Sequence, residues 1–351
     1  MSQTRRNFFH KLSGLSFTVF LPSLIYANKE ISNKISESIL PKALRAGAKI
    51  GLIAPGYTFK KSTLKEAQKT LKQMGYKTYH TKRISKSFGY FSNTDEERAA
   101  DINEMFANKK IDAILCIRGG YGCTRILHLI DYNLIKKNPK ALIGFSDVTA
   151  LIHGIYKETG LVCFHGPVGS TLEDSYSKNM FKAILENKNH FQVIKNAVLE
   201  ESFKSNPEYD RYVIYPGEAH GTLTGGSLTL INALIGTPYE LDFTNKIICI
   251  EEVEEAPYRI DRMLTQLIQG KTFKKASGIV FGVCSGCDRP SKPDSFTLKQ
   301  VIMDRIKPLE IPALYGMSFG HADQNFTFPI GIRATINTAT MRMELQEPWV
   351  S

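Results

Sequence analysis

Two rhythms of apolar and polar residues alternate along the chain. Unbroken apolar runs at 50–53, 113–117, 141–144 and 162–164 read as strands buried on both faces. Between them apolar positions recur every three or four residues, which predicts helices over 62–74 and 95–108. Val148, Leu151, Ile152 and Ile155 fall at i, i+3, i+4 and i+7, so a helix starts directly behind the strand at 141–144. A further strand is expected around Thr78–Thr81. This alternation predicts an α/β fold: an N-terminal doubly wound parallel sheet with helices on both faces and its crevice at the carboxyl ends of the strands.

A second unit opens near His220. It carries a Gly225-Gly226 turn, strands at 246–251 and 278–283, and a closing hairpin of strands near 326–336 and 340–346. Its helix at 258–269 is striped by Ile260, Met263, Leu264, Leu267 and Ile268 and stopped by Gly270. The expected division is a signal segment at 1–27, a lysine- and serine-rich linker at 28–42, and an N-terminal α/β domain at 43–171. A polar linker at 172–218 and a smaller C-terminal α/β domain at 219–351 complete it.

The front end differs from the rest. Arg5-Arg6, Phe8 and Lys11 precede an apolar run from Leu12 to Tyr26 and then Ala27. A run of this length is short for a bilayer span and suits the core of an export signal. Its twin arginines resemble a twin-arginine signal, so the protein is expected to be exported to the periplasm and to keep no membrane contact once the segment is removed. An uncleaved anchor is the alternative. Removing 1–27 takes away three basic side chains and no acid, which lowers the net charge from +11 to +8. The lysines are scattered rather than interleaved with aromatics, so no nucleic-acid partner is expected. Among the six cysteines, Cys116, Cys163 and Cys249 lie in apolar runs and read as buried. Cys284-Ser-Gly-Cys287 stands without a second Cys/His pair, which argues for free thiols or one local disulfide rather than a metal.

Ser146 falls at the strand-to-helix corner, where a hydroxyl is exposed and helix-start N–H groups point into the same space. Val148 stands where the full G-x-S-x-G elbow carries its last glycine. Arg118-Gly-Gly-Tyr-Gly122 also follows a strand and precedes a helix. Glycines there let the backbone approach a ligand and offer N–H groups to an anion, although the spacing is not that of a nucleotide loop. A serine nucleophile needs a base, and the base needs an orienting acceptor. His165 ends one strand and His321 follows another; spacing does not choose between them. His153 lies off the apolar stripe of its helix and reads as a surface or structural residue. Glu251 ends a buried strand with Glu252 beside it, and a register shift of one residue would exchange them.

Together these motifs resemble the LD-carboxypeptidase family of serine peptidases. The resemblance covers the chain from about residue 45 to 345. It rests on Ala54-Pro-Gly56, Arg118-Gly-Gly-Tyr-Gly122, Gly144-Phe-Ser-Asp147, His165-Gly-Pro167, Gly221-Thr-Leu-Thr-Gly-Gly226, Glu251 with Pro257-Tyr-Arg-Ile-Asp-Arg262, Gly320-His321 and Pro329-Ile-Gly331. It implies a triad without metal or other cofactor: Ser146 the nucleophile, His321 the general base, Glu251 the acid. The backbone N–H groups of Asp147 and of the loop at Gly120 would form the oxyanion hole. Arg118 and Tyr121 are expected at the substrate, with Arg118 or Arg259 toward a terminal carboxylate. The implied partner is a murein-derived peptide, cut between the L-centre of a diamino acid and a terminal D-alanine.

Two departures from the family pattern stand out. Ser227 occupies the place where the family usually carries Asn, and an export signal is unusual for a wall-recycling enzyme. Two alternatives remain at this point: a related serine amidase acting on acylated amino-acid or peptide-nucleotide conjugates, and a non-catalytic envelope binding protein on the same scaffold. Pairing into a homodimer is neither required nor excluded.

Overall fold

Five of the six strands of the first sheet are β1 (Lys49–Ile53), β2 (Lys77–Tyr79), β3 (Ala113–Cys116), β4 (Ala141–Gly144) and β5 (Phe164–His165), parallel to one another in the order β2-β1-β3-β4-β5. Ile50, Ile114, Leu142 and Ile143 are completely enclosed, as continuous apolar strands between two helical layers must be. Helices Lys61–Gln73, Asp95–Ala107 and Val148–Thr159 supply the crossovers. The second of these starts on Thr94, whose hydroxyl accepts the Glu97 N–H, with three acids in its first turn; the third stops at Gly160, at φ 76°. The structure is a computed structural model and describes residues 38–199, 201–289 and 292–351. The expected signal segment lies outside the described residues. No described helix is long and apolar enough to cross a membrane.

The remaining strands are β6 (Gln192–Ile194), β7 (Tyr212–Tyr215), β8 (Glu218–Ser227), β9 (Lys246–Glu251), β10 (Gly278–Val283), β11 (Ala313–Gly320), β12 (Phe328–Pro329), β13 (Arg333–Asn337) and β14 (Arg342–Leu345). All but β12 form an eight-stranded sheet in the order β6-β14-β13-β8-β9-β10-β11-β7. Its centre, β8 to β11, is parallel, and its flanks are antiparallel.

Several expectations need correction. The segment 172–218 is not a free linker. It forms a helix at Ser175–Leu185, which buries Phe181, Ile184 and Leu185, and it gives β6 and β7 to the edges of the second sheet. Its apolar residues are spaced for one buried helix stripe, and its edge strands are too short to give a two-residue rhythm. The described end of the 28–42 segment is also tied down, because the Ile39 N–H donates to Gly160 O and the Ser351 N–H to Pro41 O. The closing hairpin is only β13–β14; β12 instead pairs antiparallel with β5 in the first sheet. The Gly225-Gly226 pair is no turn but the end of β8, at φ 117° and 137°. A Cβ on Gly225 would lie 1.9 Å from Cys249 O, so only glycine lets these two strands close there.

Candidate active site

The Ser146 corner is built by backbone shape. β4 ends at Gly144, where any Cβ would meet Val148 Cγ1 at 2.7 Å, and the chain turns at once into the helix. Ser146, between them, adopts φ 62°, a left-handed conformation that non-glycine residues rarely take. Such strain is characteristic of an elbow that lifts a side chain clear of its turn. Among the described residues no hydrogen bond is made to the Ser146 hydroxyl.

The glycine loop after β3 lies against this corner. A Cβ on Gly119 would sit 3.1 Å from Ser146 Oγ and 3.2 Å from Asp147 N. Gly120 has φ 105°, and a Cβ there would collide with the Tyr57 ring at 2.5 Å. The Tyr57 N–H donates to Gly119 O at 3.2 Å, and buried Asp147 accepts the Cys123 N–H through Oδ2 at 2.8 Å. Burial pushes the Asp147 carboxyl up, against the hydrogen bonds from Cys123 and Gly122. Among the described residues the N–H groups of Gly120 and Asp147 have no acceptor. They remain free for a ligand oxygen.

On the rim, Arg118 donates to Thr58 O at 3.2 Å and stands over the Tyr57 ring at 5.7 Å. Tyr121 is exposed and packs its ring 5.8 Å from Phe91. Arg259 is exposed too, engaged with Tyr258 and Glu255.

The facing sheet supplies charges. Glu251, the last residue of β9, is wholly buried, and its Oε2 lies 2.7 Å from His321 Nδ1, just past β11. Gly320 makes this approach possible, because a Cβ there would fall 2.6 Å from Glu251 Cβ. The proton on Nδ1 then faces the carboxylate and leaves Nε2 as the acceptor. Burial works to raise the Glu251 carboxyl, but the two imidazoles facing it hold it well below the usual carboxylate range. Burial likewise works to lower His321, and the charge of Glu251 raises it above the ordinary imidazole value. The structure thus brings Glu251, and not Glu252, to the imidazole. Glu252 points elsewhere, accepting the Thr229 N–H at 2.7 Å, and is pushed up to about 7 by burial and by the charge of Glu251.

Of the two candidate histidines His321 is the accessible one, its side chain 22 % exposed, whereas His165 is enclosed. Phe145, next to Ser146, packs edge-on against the His321 ring with centroids 4.7 Å apart, which joins the two sheet ends. Other ties across the two halves escaped the sequence reading. The Ser227 N–H donates to Thr149 Oγ1 at 3.1 Å, and His153 Nε2 meets Gly225 O at 2.6 Å, a buried structural role. All six cysteines are free and buried, Cys284 and Cys287 included. Among the described residues no three His, Cys, Asp or Glu side chains group as metal ligands.

Residues 50–166 match the LD-carboxypeptidase N-terminal domain and residues 220–336 the LD-carboxypeptidase C-terminal domain. A Bacillus subtilis (strain 168) protein named "Probable murein peptide carboxypeptidase" is 37% identical over 304 residues, 85% of this chain and 92% of its own length. A murein tetrapeptide carboxypeptidase of Pseudomonas aeruginosa is 26% identical over 300 residues, 84% of this chain and 94% of its own. The crystal structure of an MccF-like protein from Bacillus anthracis superposes with a TM-score of 0.78 at 30% identity, covering 88% of this chain and 100% of that one. With an elbow serine on one sheet, a glutamate–histidine pair on the other, and both domain models matched in order, the chain belongs to the LD-carboxypeptidase family.

Proposed function

We propose that this protein is a serine carboxypeptidase that releases the terminal D-alanine of a murein tetrapeptide by hydrolysing its LD-peptide bond. The observation that carries the reading is the Glu251–His321 pair, 2.7 Å apart, lying beside the strained serine corner. In this reading Ser146 Oγ attacks the carbonyl carbon while His321 Nε2 takes its proton. Glu251 keeps the proton of the resting imidazole on Nδ1 and balances the imidazolium that forms. The N–H groups of Gly120 and Asp147 receive the oxyanion, a contribution worth about 3 kcal/mol per donor in comparable enzymes. His321 then protonates the departing amine, D-alanine leaves, and water repeats the sequence on the acyl-enzyme. Ser146 Oγ makes no hydrogen bond among the described residues, and nucleophile–base contacts commonly tighten only when substrate binds.

The terminal carboxylate of the substrate calls for a cation, and the Arg118 guanidinium beside the glycine loop suits it. The Arg5-Arg6 pattern supports an exported enzyme that trims envelope peptides directly. A second reading, an amidase acting on acylated amino-acid conjugates, draws on the likeness to the MccF-like structure.

The test is product analysis by mass spectrometry with both substrate types. Wild-type protein is expected to release D-alanine, and Ser146→Ala to lose about 10⁴-fold or more in kcat with an unchanged melting temperature. Full activity in that variant overturns the assignment. Turnover of conjugates alone selects the amidase.

A further inference from the structure

Glu251 uses its two carboxylate oxygens unequally. Oε2 meets His321, whereas Oε1 is buried with no hydrogen-bond partner. Across from Oε1, at 3.9 Å, lies Nε2 of His165. His165 is 1 % exposed, and neither of its ring nitrogens has a partner. Its ring sits among aromatics: stacked on Phe328 at 4.8 Å, edge-on to Phe319 at 5.9 Å and edge-on to Phe145 at 6.0 Å. Two orphaned polar groups, each costly to leave unpaired in the interior, therefore face one another across a gap about an ångström longer than a hydrogen bond. The other ionisable groups near this pair are Glu252, Glu254, His153, Cys284 and Cys287, and none of them donates to Oε1.

We propose that His165 is a positioning residue for the acid–base pair, its Nε2–H donating to Glu251 Oε1 and holding the carboxylate in the rotamer that faces His321. The proposal rests on the triad reading above. A carboxylate held by one donor can swing about its last bond; held by two donors on opposite oxygens it cannot. Glu251 and His165 are both shut off from bulk solvent, which favours a donor from the protein itself. Phe145 touches both imidazoles, and one ring thereby spaces the positioning histidine from the reacting one.

The test compares His165→Gln, whose amide keeps a donor close to the position of Nε2, with His165→Phe, which suits the aromatic walls but donates nothing. The readouts are kcat and KM on a murein tetrapeptide, the melting temperature, and the downfield proton resonance of His321 Nδ1–H. His165→Phe is expected to lower kcat about 10–100-fold at unchanged KM and to weaken or shift the Nδ1–H resonance. His165→Gln is expected to recover most of the kcat and the resonance, although it is the less stable of the two. Stability and turnover then rank in opposite orders, which packing alone does not produce. If kcat instead follows melting temperature, or the resonance is untouched in both variants, the proposal falls. Should His165→Phe not fold, His165→Met, also without a donor, replaces it. The resonance needs no substrate, so an inactive wild type would defeat the carboxypeptidase reading while this measurement still decides the role of His165.

Discussion

The carboxyl ends of the two sheets contribute to one site by different physics. At the first sheet the parts are backbone: a serine forced to φ 62°, glycines packed against Tyr57 and Ser146, and N–H groups that meet no acceptor among the described residues. A carboxylate beside that serine, Asp147, is spent on tying the glycine loop to the elbow. At the second sheet the parts are charges, a carboxylate with no solvent contact and an imidazole 70 residues away in sequence. Shape can be encoded locally, because a tight turn needs only small residues in a row. A buried charge cannot, because without its partner burial would neutralise it.

Glu251→Gln is the most severe way to break that contrast. The shape of the side chain is nearly kept and only its charge is lost. We expect kcat to fall about 10³–10⁴-fold, as when a triad imidazole is left in the wrong tautomer. The pH profile tests the cause. Glu251 raises His321 above the ordinary imidazole value, and activity, which needs the neutral base, fades as pH falls through that raised value. With the charge gone, burial is left to lower it, so the acid limb of kcat/KM should move to lower pH. A limb that stays put would show that charge is not what the second sheet contributes.

Gly120→Ala strikes the other side. The new Cβ meets the Tyr57 ring at 2.5 Å in a backbone held at φ 105°, so the loop must shift. A loss of about 10²–10³-fold in kcat is expected, the effect of displacing one oxyanion donor. Folding stability should fall by about 1–3 kcal/mol, read from chemical denaturation. Normal turnover in a folded Gly120→Ala protein would detach the loop from the reaction.

The smallest effect sharpens the register. Glu252→Gln alters the neighbouring carboxylate, which faces Thr229 rather than His321, and should leave kcat within the same order of magnitude. Stability is where it should act. Glu252 binds its proton more tightly when folded, at about 7 against 4.5, so the native protein loses stability as pH rises through that interval. Melting temperatures between about pH 5 and 8 should flatten in Glu252→Gln. If this variant instead costs as much activity as Glu251→Gln, the division of labour on β9 is wrong.

Much of the first sheet was legible because each of its signals is local. The apolar runs, the helix stripe at Val148, Leu151, Ile152 and Ile155, and the Gly-Phe-Ser corner each lie within a dozen residues. The segment 172–218 was misread because its helix shows one narrow apolar face and its strands lie at sheet edges, where periodicity is too short to register. Spacing left His165 and His321 level, and only the motif likeness favoured His321. Exposure separates them, since His321 opens to solvent and His165 is walled by three phenylalanines.

By itself the amino-acid sequence determined the parallel strands of the first sheet, the glycine loop after β3 and the corner carrying Ser146, since those follow from sterics between neighbours in the chain. Tertiary structure alone decided which glutamate meets which histidine, that β12 leaves its hairpin for the first sheet, and that a second imidazole stands beside Glu251. Those outcomes depend on burial and on groups far apart along the chain, and no short window of residues contains them.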